Sequence, residues 1–300
     1  MGKLNADFNR AIGKFEAAMK KKLLIKSIFY KRVFGGKGFE FDSFRNYASG
    51  EDDSALIDWK ASMKGDTLLV RQYIEERDLN IFFLIDIGDN MIFGSGEKLK
   101  IETSAELSAA LSHLILSSGD KVGFALYNEK IAAMKPFYPG MKQFFNFIKN
   151  ISNTSILGGK SDLKKALSEV RPFLRKSSAV FIISDFLRID DECAKILKNF
   201  MLTHETIGIM IRDKVENKLS DLNTEIVIED IDTGEQAVIN PELIKDEYER
   251  NSKQQKQAIS ELFKKSGADL ISLESNEDFT VPLVEFLRKR IKKRKFIRSK

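Results

Sequence analysis

The stretch Ile81–Met91, IFFLIDIGDNM, decides the fold of this chain. Five apolar residues run without a polar interruption from Ile81 to Ile85, and the run stops at Asp86. A short continuous apolar run that ends at turn residues predicts a buried strand of a parallel sheet that is covered on both faces. Asp86 would then lie at the carboxyl end of that strand, which is the edge where open α/β sheets bind ligands.

Asp86 has two interpretations from this stretch alone. As a carboxylate at the ligand-binding edge, it could hold Mg²⁺ or Ca²⁺ through oxygen. As a short polar side chain at a strand end, it could equally cap the loop or the helix that follows. Both interpretations stay open at this point.

A second apolar run repeats the pattern further along the chain. Residues Ala179–Ser184, AVFIIS, are followed by Asp185. Two core strands that each end at a carboxylate indicate a shared site more strongly than either strand alone, although strand-end aspartates also serve as caps. Helical and strand-like periodicities alternate around these runs, from a helix at Asp7–Lys22 to a last helix at Val281–Ile291. This alternation predicts an α/β protein with a doubly wound, mostly parallel sheet.

Three loops of the chain resemble those of a von Willebrand factor A-type domain. They lie within DIGDNM (Asp86–Met91), GGKSDLKKAL (Gly158–Leu167) and VFIISDF (Val180–Phe186). The resemblance implies a metal-ion-dependent adhesion site, in which an Asp-x-Ser-x-Ser loop, a Thr and an Asp hold a cation. The matching positions here are Asp86, Gly88, Asn90, Ser161 and Asp185. Gly88 lacks a hydroxyl and Asn90 offers an amide carbonyl, so the implied metal ligands are Asp86, Asn90, Ser161 and Asp185.

This degenerate set of ligands leads us to expect a weak Mg²⁺ site. Mg²⁺ keeps several water ligands in proteins, so a missing hydroxyl need not abolish binding. We expect the site to be occupied mainly when a partner contributes a carboxylate. Ser161 also has a structural interpretation, as the N-cap of a helix predicted at Asp162–Leu174.

A second resemblance covers the region before the first core strand. The segment from Gly36 to Leu79 is similar to the signature of domain-of-unknown-function family fifty-eight, and the EER triplet Glu75–Arg77 also looks like that family. The matching residues are Gly36, Gly38, Glu40, Phe41, Arg45, Tyr47, Gly50, Ile57, Asp58 and Trp59. The segment departs from the signature at Glu51, where an Asp is usual, and at Ala55 or Leu56, where an Arg is usual.

The two resemblances together imply a protein that binds other proteins. Members of this family are commonly encoded beside AAA+ ATPases of the MoxR type, which implies an adaptor for such an ATPase in the assembly or remodelling of client proteins. The chain has no P-loop of its own, and we assign no catalytic residue. Two alternatives stay open: a metal-dependent hydrolase that uses Asp86 and Asp185, and a basic protein that binds nucleic acid or a membrane surface.

The composition places the chain among ordinary globular proteins. Its residues are 43% hydrophobic and 31% charged, and the net charge is +5. No apolar run approaches the ~20 residues that cross a bilayer, so an integral membrane protein is not expected. Cys193, the single cysteine, excludes an internal disulfide and fits a reducing compartment. We therefore expect a cytoplasmic protein.

We expect three segments along the chain. Residues 1–79 would form an irregular α+β region that packs on the sheet, 80–290 the von Willebrand factor A-like domain, and 291–300 a basic tail. Trp59 and Asp58 should hold the first segment against the sheet, with Trp59 buried. The basic run Arg288–Lys300 reads as a solvated helix end that is dispensable for folding. No helix-turn-helix pattern accompanies it, so the sequence does not favour a nucleic-acid partner.

Overall fold

The computed structural model describes residues 4–22, 40–48, 57–63, 67–74, 80–174, 178–219, 226–229 and 236–298. Some of the residues on which the sequence predictions depend are not among these. Gly36, Gly38 and Gly50 of the signature and the Glu75–Arg77 triplet lie outside the described residues.

The main sheet has six strands among the described residues. The strands in the described ranges are β1 (Glu40–Asn46), β2 (Leu69–Ile74), β3 (Asn80–Asp86), β4 (Lys121–Tyr127), β5 (Ile131–Pro139), β6 (Ser178–Ser184), β7 (Glu205–Arg212), β8 (Ile226–Glu229), β9 (Gln236–Ile239) and β10 (Asp269–Glu274). The order in the main sheet is β10-β7-β6-β3-β4-β5. Every neighbouring pair is parallel except β4 and β5. The strands β1 and β2 form a separate antiparallel pair, as do β8 and β9.

Helices cover both faces of this sheet. They are α1 (Phe8–Lys22), α2 (Trp59–Ser62), α3 (Lys100–Ser117), α4 (Met141–Ile151), α5 (Leu163–Val170), α6 (Asp191–Thr203), α7 (Lys214–Asn217), α8 (Pro241–Lys265) and α9 (Thr280–Arg298). The expected fold class, α/β with a mostly parallel sheet, is confirmed. None of the helices in the described part of the chain is long and apolar enough to cross a bilayer.

The strand β3 lies at the centre of the core, and all its residues are buried. Successive side chains of a strand point to opposite faces, and here Ile81, Phe83 and Ile85 join one apolar cluster while Phe82 and Leu84 join the other. The ring of Phe83 stacks on that of Phe181 in β6, with centroids 5.2 Å apart. Burial on both faces explains why the residues between Asn80 and Asp86 are all apolar.

The sheet reverses its winding direction beside β3. The chain leaves β3 through α3 and enters β4 on one side, whereas it leaves β6 through α6 and enters β7 on the other side. The carboxyl ends of β3 and β6 therefore flank the topological switch point, where α/β sheets bind their ligands. Asp86 ends β3 and Asp185 follows β6 at this crevice.

The first helix shares the core of the main domain. Phe15 and Met19 of α1 are buried in the same apolar cluster as α3. Glu102 and Glu106 of α3 accept hydrogen bonds from the N–H groups of Asn5 (2.7 Å) and Asp7 (2.9 Å) just before α1. The helix is thus held to α3 by apolar contact and by polar bonds at its start. The boundary at residue 79 stays a prediction.

Trp59 does not pack as the sequence suggested. Its side chain is 63% exposed, so the expectation that it anchors the first segment is wrong. Asp58 is the buried member of the pair: its carboxylate caps α2 by accepting from the N–H of Ala61 at 3.0 Å. The N–H of Asp58 donates to the carbonyl of Leu69 at 2.9 Å. Asp58 therefore ties α2 to β2, and the adjacent Trp59 is exposed.

The last helix continues well beyond the predicted end at Ile291 and reaches Arg298. Arg290 is only 6% exposed, and its guanidinium forms ion pairs with Glu205 of β7 and Asp269 of β10. The expectation that the residues beyond Arg288 are solvated is therefore wrong for Arg290, which fastens α9 to the edge of the sheet, whereas their dispensability for folding stays a prediction.

Candidate functional site at the carboxyl edge of the sheet

Two buried carboxylates form the floor of the crevice. Asp86 and Asp185 are each 1% exposed. Asp86 Oδ1 accepts from the N–H of Gly88 at 3.0 Å, and Asp185 Oδ1 accepts from the N–H of Leu187 at 3.0 Å. The Oδ1 atom of each aspartate thus stabilises the turn that follows its strand. The second oxygen, Oδ2, accepts hydrogen bonds from other side chains. The Oδ1 atoms therefore serve the structural role expected of strand-end aspartates, and metal binding by these carboxylates stays a prediction.

The side-chain amide of Asn90 bridges the two carboxylates. A 3₁₀ turn at Asp89–Ile92 carries this buried residue back over the strand end. Its Nδ2 donates to Asp86 Oδ2 at 3.1 Å and to Asp185 Oδ2 at 2.9 Å. Its carbonyl oxygen, which the sequence suggested as a metal ligand, makes no hydrogen bond. The N–H₂ group therefore stands between the two carboxylates, and the carbonyl oxygen does not.

Gly88 has no space for a side chain. A Cβ on this residue would lie 2.6 Å from Asn90 Oδ1, 3.0 Å from the carbonyl oxygen of Gly159 and 3.0 Å from the Cβ of Ser161. Atoms do not approach that closely without rearrangement. The absence of a hydroxyl here is thus compensated by the asparagine, whose amide fills the space that a serine at this position would need.

Ser161 reaches the site from the loop before α5. A hydrogen bond from Ser161 to Asp86 opposes the increase in the pKa of that carboxyl that burial causes. The helix that follows is capped by Asp162, whose carboxylate accepts from the N–H of Lys165 at 2.9 Å. The expectation that Ser161 caps this helix is therefore wrong, and its hydroxyl is used at the site. The loop is held by the N–H of Gly158 on the carbonyl of Ile87 at 2.9 Å.

A lysine that the sequence analysis did not single out lies in the middle of the cluster. Lys100, the first residue of α3, is 0% exposed. Its Nζ donates to Asp185 Oδ2 at 2.8 Å and to Glu216 of α7. One signal in the sequence could have found it. Cations are unfavourable in the first turn of a helix, so a lysine at the start of a helix beside the switch point indicates a buried acidic partner.

Three further groups complete the cluster, and sequence reasoning missed them as well. Ser184 Oγ donates to Asp86 Oδ2 at 2.8 Å. Arg212, at the end of β7, is 0% exposed, and its Nε donates to the backbone carbonyl of Asp185 at 3.1 Å. Tyr127, which ends β4, is fully buried beside Asp86 and Ser184. These residues come from strand ends that only the fold brings together.

The pKa values of the two aspartates shift in opposite directions. Burial and the neighbouring Asp185 raise the pKa of Asp86 to about 6, because its hydrogen bonds come only from neutral donors. Burial alone would also raise the pKa of Asp185, but the adjacent ammonium of Lys100 outweighs it and holds that pKa below its ordinary value. Burial raises the pKa of Glu216 although Lys100 opposes the shift. The pKa of Tyr127 is raised by burial and by Asp86.

These groups do not fit a divalent cation of the expected kind. An N–H₂ group and an ammonium already satisfy the Asp185 oxygen that would face the metal, and Mg²⁺ requires oxygen ligands. In the described part of the chain, no group of three or more acidic, histidine or cysteine side chains is arranged to hold a metal. The structure does bring Asp86, Asn90, Ser161 and Asp185 together as predicted. Mg²⁺ binding by these four residues stays a prediction, and this arrangement does not favour it.

Comparison with known proteins gives the family. The family described as "Protein of unknown function DUF58" matches residues 43–258. Two similar relatives are "Uncharacterized protein Mb1516" of Mycobacterium bovis and "Uncharacterized protein Rv1480" of Mycobacterium tuberculosis. Each is 25% identical over 259 residues, which cover 85% of this chain and 80% of the relative.

Two solved structures are similar at lower identity. BatB, described as a conserved hypothetical protein from Bacteroides thetaiotaomicron, has a TM-score of 0.49 at 13% identity and covers 71% of this chain and 99% of that one. A von Willebrand factor type A structure from Catenulispora acidiphila has a TM-score of 0.41 at 9% identity, and covers 85% of this chain and 50% of that one. The family assignment rests on the match over most of the sequence, and the chain belongs to the DUF58 family.

Proposed function

We propose that the protein is a non-enzymatic interaction module, an adaptor that works with an AAA+ ATPase of the MoxR type in the assembly or remodelling of client proteins. The observation that carries the proposal is the state of the polar groups at the switch point. Asp86, Asn90, Lys100, Ser184 and Asp185 are buried and joined by hydrogen bonds, so they hold the loops around them in one preformed arrangement to which a partner can bind.

A charged pocket beside this cluster supports the same proposal. It has a volume of about 280 Å³, and Ser161 is one of its lining residues. Its lining carries both signs of charge, from Glu129, Lys160, Asp162, Lys164, Arg188 and Asp190. Mixed charges around a partly open depression suit the polar face of another protein, because complementary charges give specificity and fast association. The pocket thus marks where we place the ATPase.

The test is site-specific photo-crosslinking with purified proteins. A photoreactive phenylalanine analogue replaces Lys160, which is exposed at the pocket, or Lys142, which is exposed near the start of α4. Lys160 lies near the carboxyl ends of the parallel strands and Lys142 near their amino ends. The second placement follows because β5 runs antiparallel to β4 and ends beside Lys121, the first residue of β4. Each variant is mixed with the MoxR-type ATPase from the same genome and irradiated.

The proposal predicts a crosslink to the ATPase from position 160 and none from position 142. Calorimetry with the unmodified protein should show a saturable complex. Absence of any complex would overturn the proposed function. A complex that crosslinks only through position 142 would move the interface away from the switch point and refute the role given to the pocket.

A further inference from the structure

The strongest unexplained feature of the site is a buried ammonium that contacts Asp185, one of the four implied metal ligands. Lys100 is 0% exposed, and long charged side chains are almost never buried to this extent unless they are paired. It is the first residue of α3, where the helix dipole opposes a positive charge. Two unfavourable conditions are therefore met at once, which requires strong compensation.

Two carboxylates provide that compensation from different parts of the chain. Lys100 Nζ lies 2.8 Å from Asp185 Oδ2 and also binds Glu216. Asp185 follows β6, and Glu216 belongs to α7, which closes the cluster from outside with a side chain that is 14% exposed. The ammonium thus joins α3, β6 and α7 as a bridging cation would.

The position of α7 is itself fixed around this contact. Asp213 caps the helix by accepting from the N–H of Val215 at 3.0 Å, and Glu216 Oε2 accepts from the N–H of Asp213 at 2.8 Å. The carboxylate of Asp213 also accepts from Ser95 N at 2.9 Å and from Ser275 Oγ at 2.9 Å. Glu216 is therefore aimed at Lys100 by a capped helix that is bonded to two other loops.

We propose that Lys100 takes the place and the structural role of the divalent cation in this crevice, so that the site is complete without metal. The amide of Asn90 then supplies neutral donors to both aspartates, and the ammonium supplies the positive charge. The loops at the switch point are held in one arrangement by the protein's own side chains. This inference concerns the isolated chain and does not depend on the proposed adaptor function.

The experiment compares thermal unfolding in Mg²⁺ and in EDTA for the full chain and three variants. Lys100→Met keeps the length of the side chain and removes its charge, and Lys100→Arg keeps the charge. Lys98→Met is the matched control, because Lys98 also pairs with a glutamate, Glu106 at 2.6 Å, but is 39% exposed. Calorimetric titration of the unmodified protein with Mg²⁺ accompanies the melts.

The proposal predicts equal midpoints in Mg²⁺ and EDTA for the unmodified protein and no binding heat. Lys100→Met should lower the midpoint by roughly ten degrees, much more than Lys98→Met, because removal of one partner leaves buried charges unpaired. Mg²⁺ should restore part of that loss, since Asp185 and Glu216 are then released. Lys100→Arg should fall between the unmodified protein and Lys100→Met.

Three results would overturn the proposal. The first is stoichiometric Mg²⁺ binding by the unmodified protein that Asp86→Ala abolishes. The second is a Lys100→Met midpoint equal to that of Lys98→Met. The third is a Lys100→Met protein that is destabilised and whose midpoint Mg²⁺ does not raise. That result would show that Lys100 stabilises the fold without standing in for a divalent cation. If Lys100→Met does not fold, the titration of the unmodified protein decides the question alone.

Discussion

Replacing Asp86 by asparagine should change how the stability of the protein depends on pH. Asp86 is fully buried, and burial together with Asp185 raises its pKa from 3.8 to about 6. The folded protein therefore holds the proton of Asp86 more tightly than the unfolded chain does. The stability that this group contributes is fully present below about pH 4 and is lost as the pH rises through about 6.

The size of the effect follows from the same two values. The difference between 3.8 and about 6, at about 1.36 kcal/mol for each pKa unit, corresponds to about 3 kcal/mol. Asp86→Asn cannot ionise, so this loss is absent in the variant. The variant also alters hydrogen bonds with Gly88, Asn90 and Ser184, but that cost does not depend on the ionisation of residue 86.

The assay is urea unfolding of both proteins at a series of pH values from 4 to 8. The free energy of unfolding of the unmodified protein should fall relative to that of Asp86→Asn by about 3 kcal/mol across the interval from about pH 4 to about pH 6. Asp191→Asn, which alters an exposed carboxylate in the first turn of α6, is the control and should give a curve nearly parallel to the unmodified protein. Parallel curves for Asp86→Asn as well would refute the assigned environment of Asp86.

Three further predictions concern other parts of the structure. Gly88→Ser should destabilise the protein by about 1–3 kcal/mol through overpacking against Asn90 and Gly159. In thermal unfolding, the additional change Asn90→Ser should recover part of this loss. A Gly88→Ser variant as stable as the unmodified protein would contradict the packing described. Trp59→Ala should change the free energy of unfolding by less than about 1 kcal/mol because the side chain is 63% exposed, and a large fall in urea unfolding would show that it packs after all. Arg290→Met should cost about 1–3 kcal/mol, since Glu205 and Asp269 lose their common partner, whereas the adjacent Lys289→Met should cost little; equal effects would leave α9 without its proposed anchor.

Much of the fold could be predicted because it is encoded in local patterns. The strand predicted at Ala179–Ser184 is found at Ser178–Ser184, and the helix predicted at Asp7–Lys22 is found at Phe8–Lys22. Apolar periodicity and turn residues are properties of neighbouring positions, so they can be read without knowing which elements touch. The meeting of Asp86 and Asp185 could also be predicted, because both end parallel strands at one edge.

The interior of the site could not be predicted in the same way. The partner of Lys100 in α7 is Glu216, which lies 116 positions away in the sequence. The direction of the Asn90 amide depends on the lack of space at Gly88, which is a property of packing and not of spacing. The prediction for Trp59 was wrong because a large aromatic residue in an irregular segment suggests burial. The buried residue here is instead Asp58, whose carboxylate caps α2.

The most direct test of the lysine-centred site is a crystal structure of the full chain after soaking in Mn²⁺, with diffraction measured at the manganese absorption edge. We expect Lys100 Nζ between Asp185 and Glu216, the amide of Asn90 between Asp86 and Asp185, and no anomalous peak in the crevice. An anomalous peak within bonding distance of Asp86 and Asp185, with Lys100 displaced from it, would refute the lysine-centred site.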